Sequence, residues 1–94
     1  MDMVVVTRHA GLLPVLIEHG IVPADVPVVA HATAADVSGR HVVGVLPLHL
    51  AACVAKVTEV TLAIPADLRG IELDAAQVRA FMKGISTYKV EKLS

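Results

Sequence analysis

Aromatic residues are almost absent from this chain: it has one phenylalanine, Phe81, one tyrosine, Tyr88, and no tryptophan. A row of rings on which unpaired bases stack is therefore excluded. Cysteine is limited to Cys53, which rules out a disulfide framework and a cysteine-rich zinc site; the residue reads as a small buried hydrophobe. Neither sign of charge dominates, with 8 Lys+Arg against 9 Asp+Glu and a net charge of −1. A chain so balanced does not coat a long polyanion, and any phosphate recognition must come from a few placed groups. No apolar run approaches the ~18 residues of a membrane span. Asp2 precedes only four apolar residues before Thr7 and Arg8, so no signal peptide is expected and the cytoplasm is the expected compartment. Phosphate-binding glycine motifs of the GxGxxG and GxxxxGK[ST] kinds are missing, as is a GxSxG elbow. The five histidines, at 9, 19, 31, 41 and 49, make no HxxxH pair and join no carboxylate cluster, so neither a metal nor a cofactor is expected.

Aliphatic residues fill the space that these leave. Hydrophobic residues make up 55% of the 94 before the six glycines are counted, against about 45–50% with glycine included in ordinary soluble domains. A chain of this length makes one domain, spanning residues 1–94, and small domains have the least interior in which to hide such an excess. A buried self-interface is the simplest outlet.

The apolar residues come in short, β-branched, continuous runs. Met3 to Val6 reads as a strand buried on both faces, followed by a helix over 12–20 with Pro14 in its first turn and Gly20 past its end. A second strand is expected after Pro27, then a polar connection of little periodicity over 31–40. His41 to Val45 reads as a third strand. From Leu48 the spacing turns helical, with Leu50, Ala51, Val54 and Val57 on one face and His49, Cys53 and Lys56 on another. A fourth strand is expected over 59–64. Asp74 then caps a helix, with Gln77 at the capping-box position; Val78, Phe81, Met82 and Ile85 share a face, and Gly84 ends it. A last, exposed strand is expected over 87–90. Strand–helix alternation with such strands means an α/β fold with a mostly parallel sheet flanked by helices.

In such sheets ligands bind beyond the carboxyl ends of the strands. Thr7, Arg8 and His9 follow the first strand, His31 the second, Leu46 and Pro47 the third, and Arg69-Gly70 the fourth. Arg8 and His9 are either a solvated strand-end pair or an anion site, with Arg8 as bidentate phosphate donor, His9 as donor or proton shuttle, and backbone N–H groups around Gly11. His31 is either a loop histidine or a site residue. His49 is a site or interface residue, or a satisfied core polar group. Arg69 is a phosphate contact or part of a turn. His19, beside a helix-ending glycine, and His41, opening a strand, read as structural.

Taken in order, Val6-Thr7-Arg8-His9-Ala10-Gly11, His31, Gly44-Val45-Leu46-Pro47-Leu48-His49-Leu50-Ala51, Pro65 through Leu73 and the tyrosine segment at Tyr88 resemble the small stand-alone Csx-type CRISPR-associated proteins of type III systems. The resemblance covers nearly the whole chain. It implies a Rossmann-like (CARF-like) homodimer that binds a cyclic oligoadenylate, cyclic tetra-adenylate foremost, and linearises it as a ring nuclease, switching off CRISPR signalling. It places Thr7, Arg8, His9, Gly11, His31, Leu46, Pro47, His49 and Arg69 at the ligand, with Arg8 as charge stabiliser and His9 or His49 as general acid or base. The implied reaction needs no metal: a ribose 2′-hydroxyl attacks its adjacent phosphate. The family often has a proline before the glycine of the first motif, where this chain has Ala10, which bears on loop stiffness more than on chemistry. Two other classes fit the same residues: a module that sequesters the messenger uncut, and an interaction protein whose Arg-His loop binds nothing.

Overall fold

The computed structural model describes residues 2–94. Val4, Val5 and Val6 are all buried in strand β1 (Met3–Val6), as expected of a strand covered on both faces. Helix α1 (Leu12–Glu18) follows, then β2 (Val28–Val29), α2 (Ala34–Val37), β3 (His41–Gly44), α3 (Leu48–Ala51), β4 (Lys56–Leu62), a 3₁₀ turn (Ala66–Leu68), α4 (Ala75–Phe81) and β5 (Met82–Tyr88). The strands form one sheet in the order β2-β1-β3-β4-β5, the first four parallel and β5 antiparallel to β4.

Alternate residues of these strands serve two cores. On one face Val5, Val43 and Val60 pack with Leu12, Val15 and Leu16 of α1 and Val78 of α4. On the other, Val4, Val6, Val42 and Val57 pack with Val37, Ala51 and Val54. Each such side chain contributes roughly 1.5–3 kcal/mol by leaving water. A parallel ladder covered on both sides is a small α/β domain, as the sequence predicts. The accessible surface is 5657 Å², roughly a tenth above the ~5,200 Å² expected for a folded monomer of this mass. Val45, Leu48, Ile85, Tyr88 and Leu93 remain among its exposed hydrophobics.

Three expectations about elements need correction. Helix α3 stops at Ala51, and β4 begins at Lys56. Val57 therefore lies on a strand, because Val57, Thr58, Val60 and Thr61 are β-branched and pair with β3 and β5, which overrides a helical spacing. His49, Cys53 and Lys56 thus share no helix face, and Cys53 is exposed rather than buried, its thiol donating to the His49 carbonyl at 3.4 Å. Helix α4 ends at Phe81, and Gly84 lies inside β5 opposite Thr61, so Met82 and Ile85 belong to a strand that begins five residues earlier than expected. The connection over 31–40 holds the short helix α2, whose Asp36 carboxylate accepts from the Thr33 N–H at 2.8 Å and from its hydroxyl at 2.9 Å. The Asp74–Gln77 capping box is present in both directions, at 2.8 and 3.0 Å.

His19 and His41 have structural partners. The His19 Nδ1 contacts the Val15 carbonyl oxygen at 2.9 Å. The His41 Nε2 lies 2.7 Å from the Thr58 hydroxyl, which lies 2.8 Å from that of Thr87, a polar rung across β3, β4 and β5. Partial burial, with the charge of Lys56, lowers the pKa of His41.

Candidate functional site

The strand order reverses direction at β1: the chain passes outward to β2, then crosses back to β3 on the other side. Such a switch point leaves a cleft beyond the carboxyl ends of the two central strands. A cavity of about 450 Å³ lies there, within the ~300–1,000 Å³ range of small-molecule sites. Thr7, Arg8 and His9 line it from the end of β1, Ala30, His31 and Ala32 from the end of β2, and Gly44 to Pro47 with Leu50 from the end of β3. Val6, Leu12, Val60 and Leu62 complete its wall.

Gly44 is required at its place. Its φ is +141°, and a Cβ there would collide with the carbonyl of Val6, the paired residue of β1. Only glycine lets β3 lie this close to β1 while the chain turns into the Val45-Leu46-Pro47 rim.

The loop after β1 is wired shut from within. The Thr7 hydroxyl accepts from the His9 N–H at 3.0 Å. The Glu72 carboxylate accepts from the Ala10 N–H at 3.2 Å, the Leu73 carbonyl from the Gly11 N–H at 3.2 Å, and the His9 carbonyl from the Leu12 N–H at 3.0 Å. In return the Leu73 N–H donates to Nδ1 of His9 at 3.0 Å. Gly11 is buried against the Asp74 and Ala75 backbone, where a Cβ would overlap it. Residues 72–74 thus form a strap that holds the loop from more than sixty positions away. The backbone N–H groups of residues 9 to 12 are consequently engaged inside the protein, not turned to a ligand.

Of the residues singled out from sequence, the structure brings Thr7, Arg8, His9, His31, Leu46 and Pro47 to one cavity. Gly11, His49 and Arg69 do not line it. Gly11 sits beneath the strap, His49 is exposed on α3, and Arg69 is exposed after the 3₁₀ turn. Ala30 and Ala32 of the apolar wall were not singled out, their only signal being position after a strand, and Val45 and Leu50 appear in the quoted 44–51 segment without being named as site residues. Glu72 and Leu73 fall in the quoted segment Pro65 through Leu73, but nothing local signals that they hold the loop after β1.

The charge of the lining has one sign. Arg8 is its only permanently charged residue, and no carboxylate lines it. Among the described residues the one ion pair is Arg79 with Glu18, far along the chain on α4 and α1. The guanidinium of Arg8, exposed at the cavity, therefore has its donors available to a ligand. An arginine with two imidazoles in an otherwise aliphatic cleft suits an anion carrying apolar or flat groups, and an arginine in the wall disfavours a bound cation. Among the described residues, no three His, Cys, Asp or Glu side chains gather where they could hold a metal ion. Nor is any helix among the described residues long and apolar enough to cross a membrane.

The family model described as "Putative CRISPR-associated protein (Cas_VVA1548)" matches residues 4–91. The chain belongs to that family. The match runs from β1 through β5, so every lining residue of the cavity and the whole strap fall inside it. This confirms the CRISPR association expected from the ordered motifs. No curated protein and no solved structure matches the chain.

Proposed function

We propose that this CRISPR-associated protein is a ring nuclease: a homodimer that binds cyclic tetra-adenylate and cuts it to linear products ending in a 2′,3′-cyclic phosphate. The observation that carries this reading is the cavity at the switch point, cationic through Arg8, flanked by His9 and His31, and otherwise aliphatic. A cavity of about 450 Å³ lies in the lower part of the small-ligand range and holds roughly one nucleotide unit, not four. A four-nucleotide ring has to be shared, and two copies related by a two-fold axis offer two such cavities to a ring of near two-fold symmetry. The exposed Val45 and Leu48 beside the mouth supply apolar surface for the contact between copies. Adenines lie against Leu12 and Leu46, so the scarcity of aromatic residues is no obstacle.

In the reaction the O2′ of a ribose bonds to its adjacent phosphorus and the P–O5′ bond breaks. The proton released at O2′ equals the one taken up at O5′, so neither water nor a redox partner is consumed. The substrate carries its own nucleophile. The protein has to hold O2′, phosphorus and O5′ in line and stabilise the charge on the phosphoryl oxygens. Arg8 suits the second task, as a planar double donor to one phosphate.

Incubating the purified protein with a panel of cyclic oligoadenylates in a chelator, and separating the products, tests the proposal. Conversion of cyclic tetra-adenylate to linear di-adenylate is the expected result. A raised Tm with the ring recovered intact assigns the protein to sequestration instead, and no shift with any ring removes the ligand altogether.

A further inference from the structure

The two cavity histidines differ in how they are held, and from this we infer that His9 is a hydrogen-bond donor of fixed tautomer while His31 moves the proton. The inference rests on the ring-nuclease reading and names the roles within it.

Nδ1 of His9 lies 3.0 Å from the backbone nitrogen of Leu73. An amide N–H can only donate, so Nδ1 is the acceptor, and the neutral ring carries its proton on Nε2. The partner is well fixed: Leu73 is 1% exposed, and its carbonyl is tied to the Gly11 N–H at 3.2 Å. The backbone of His9 is pinned as well, through the Thr7 hydroxyl. Nε2 of such a ring already carries a proton, and placing one on Nδ1 would set two N–H groups against each other and break the bond from Leu73. It presents a preorganised N–H where it lines the cavity, which is the requirement for stabilising charge on a phosphoryl oxygen.

His31 lines the same cavity from the end of β2 and is exposed, and among the described residues neither of its ring nitrogens is hydrogen-bonded to protein. Its lone pair is free to accept the O2′ proton. The charged and titratable groups of the lining are Arg8, His9 and His31, so with Nδ1 of His9 engaged by Leu73 and Arg8 offering donors alone, His31 is the lining side chain left to accept a proton.

The tautomer is read without any ligand, from long-range ¹H–¹⁵N correlations of the histidine rings in the full chain. His9 is expected to show a protonated Nε2 and an unprotonated Nδ1. Turnover of cyclic tetra-adenylate then separates the roles. His9→Asn keeps an acceptor for the Leu73 N–H and loses the distal donor, so it should keep the parent Tm while kcat falls about 10²–10³-fold. His9→Gln restores an N–H at that distal position and should recover part of the loss, and both variants should keep the parent's pH–rate limb. His31→Ala should lose about 10²–10⁴-fold in kcat and flatten that limb. A protonated Nδ1 on His9, a limb lost in His9→Asn, or a limb retained in His31→Ala overturns the assignment. If the parent protein cuts no ring, the roles fall together with the ring-nuclease reading; if it cuts while any of those three results appears, only the assignment falls.

Discussion

Adding one methyl group to Gly11 should damage this protein more than adding one to any exposed glycine. A Cβ at position 11 would overlap the carbonyl carbon and oxygen of Asp74 and the nitrogen of Ala75. These are backbone atoms at the start of α4, so no side-chain rotation relieves the clash; α4 and the strap must move away from α1. Overpacking of this kind costs about 1–3 kcal/mol. The displacement also strains the bond from the Gly11 N–H to the Leu73 carbonyl, a loss of about 0.5–1.5 kcal/mol. Gly11→Ala should therefore lose about 2–4 kcal/mol, a large share of the roughly 5–14 kcal/mol that holds a domain of this length together. At about 4–8 °C per kcal/mol, Tm should fall by at least about 8 °C. Gly84→Ala is the matched control, because nothing lies within 4 Å of its Cβ position and alanine restricts the unfolded chain, a gain of about 0.4–1 kcal/mol. Urea unfolding followed by circular dichroism, with the m-value compared, measures both. A Gly11→Ala protein within about 0.5 kcal/mol of the parent, the scatter of ordinary surface substitutions, would refute the reasoning, as would a larger loss in Gly84→Ala.

Leu73 is almost fully buried, so Leu73→Ala should cost about 2–5 kcal/mol in the same assay. The Glu18 carboxyl is held below its ordinary 4.5, first by its hydrogen bond from Arg79 and further by the Arg79 and His19 charges, against some desolvation. The unfolded chain therefore takes up this proton first: the contribution is present above pH 4.5 and is lost as pH falls through the lower folded value. Glu18→Gln should remove that portion of the acid slope of Tm, and added salt should weaken it in the parent. Arg8→Ala should weaken binding of cyclic tetra-adenylate about 10- to 150-fold, the equivalent of one charged hydrogen bond of about 1.5–3 kcal/mol, without lowering Tm, since Arg8 is exposed. Titration calorimetry checks this, and an unchanged Kd would exclude Arg8 from the site.

Much of the fold is legible in short runs of residues. Val4-Val5-Val6 and Val42-Val43 announce strands covered on both faces, and Asp74 with Gln77 announces a helix start, because each signal depends on neighbours a few positions away. The errors come where two signals overlap. Ala51 to Val57 has helical spacing, yet Val57 and Thr58 find partners in β3 that helical geometry cannot offer. Met82 to Ile85 continues the apolar stripe of α4, yet β4 needs an antiparallel neighbour and takes it. The site divides in the same way. Thr7, Arg8, His9, His31, Leu46 and Pro47 converge because the ends of parallel strands converge, a rule that needs no coordinates. That the Glu72-Leu73-Asp74 segment serves the first loop is not legible, since its bonds span more than sixty residues and involve mostly backbone atoms. Aliphatic excess pointed to a contact between copies; in the structure Val45, which lines the cavity, and Leu48, next in the chain after the lining Pro47, are exposed.

The most direct test of the central claim is the fate of cyclic tetra-adenylate incubated with excess protein in a chelator, followed by chromatography over time. The ring should disappear while linear di-adenylate with a 2′,3′-cyclic phosphate accumulates. Quantitative recovery of the intact ring after long incubation would contradict it.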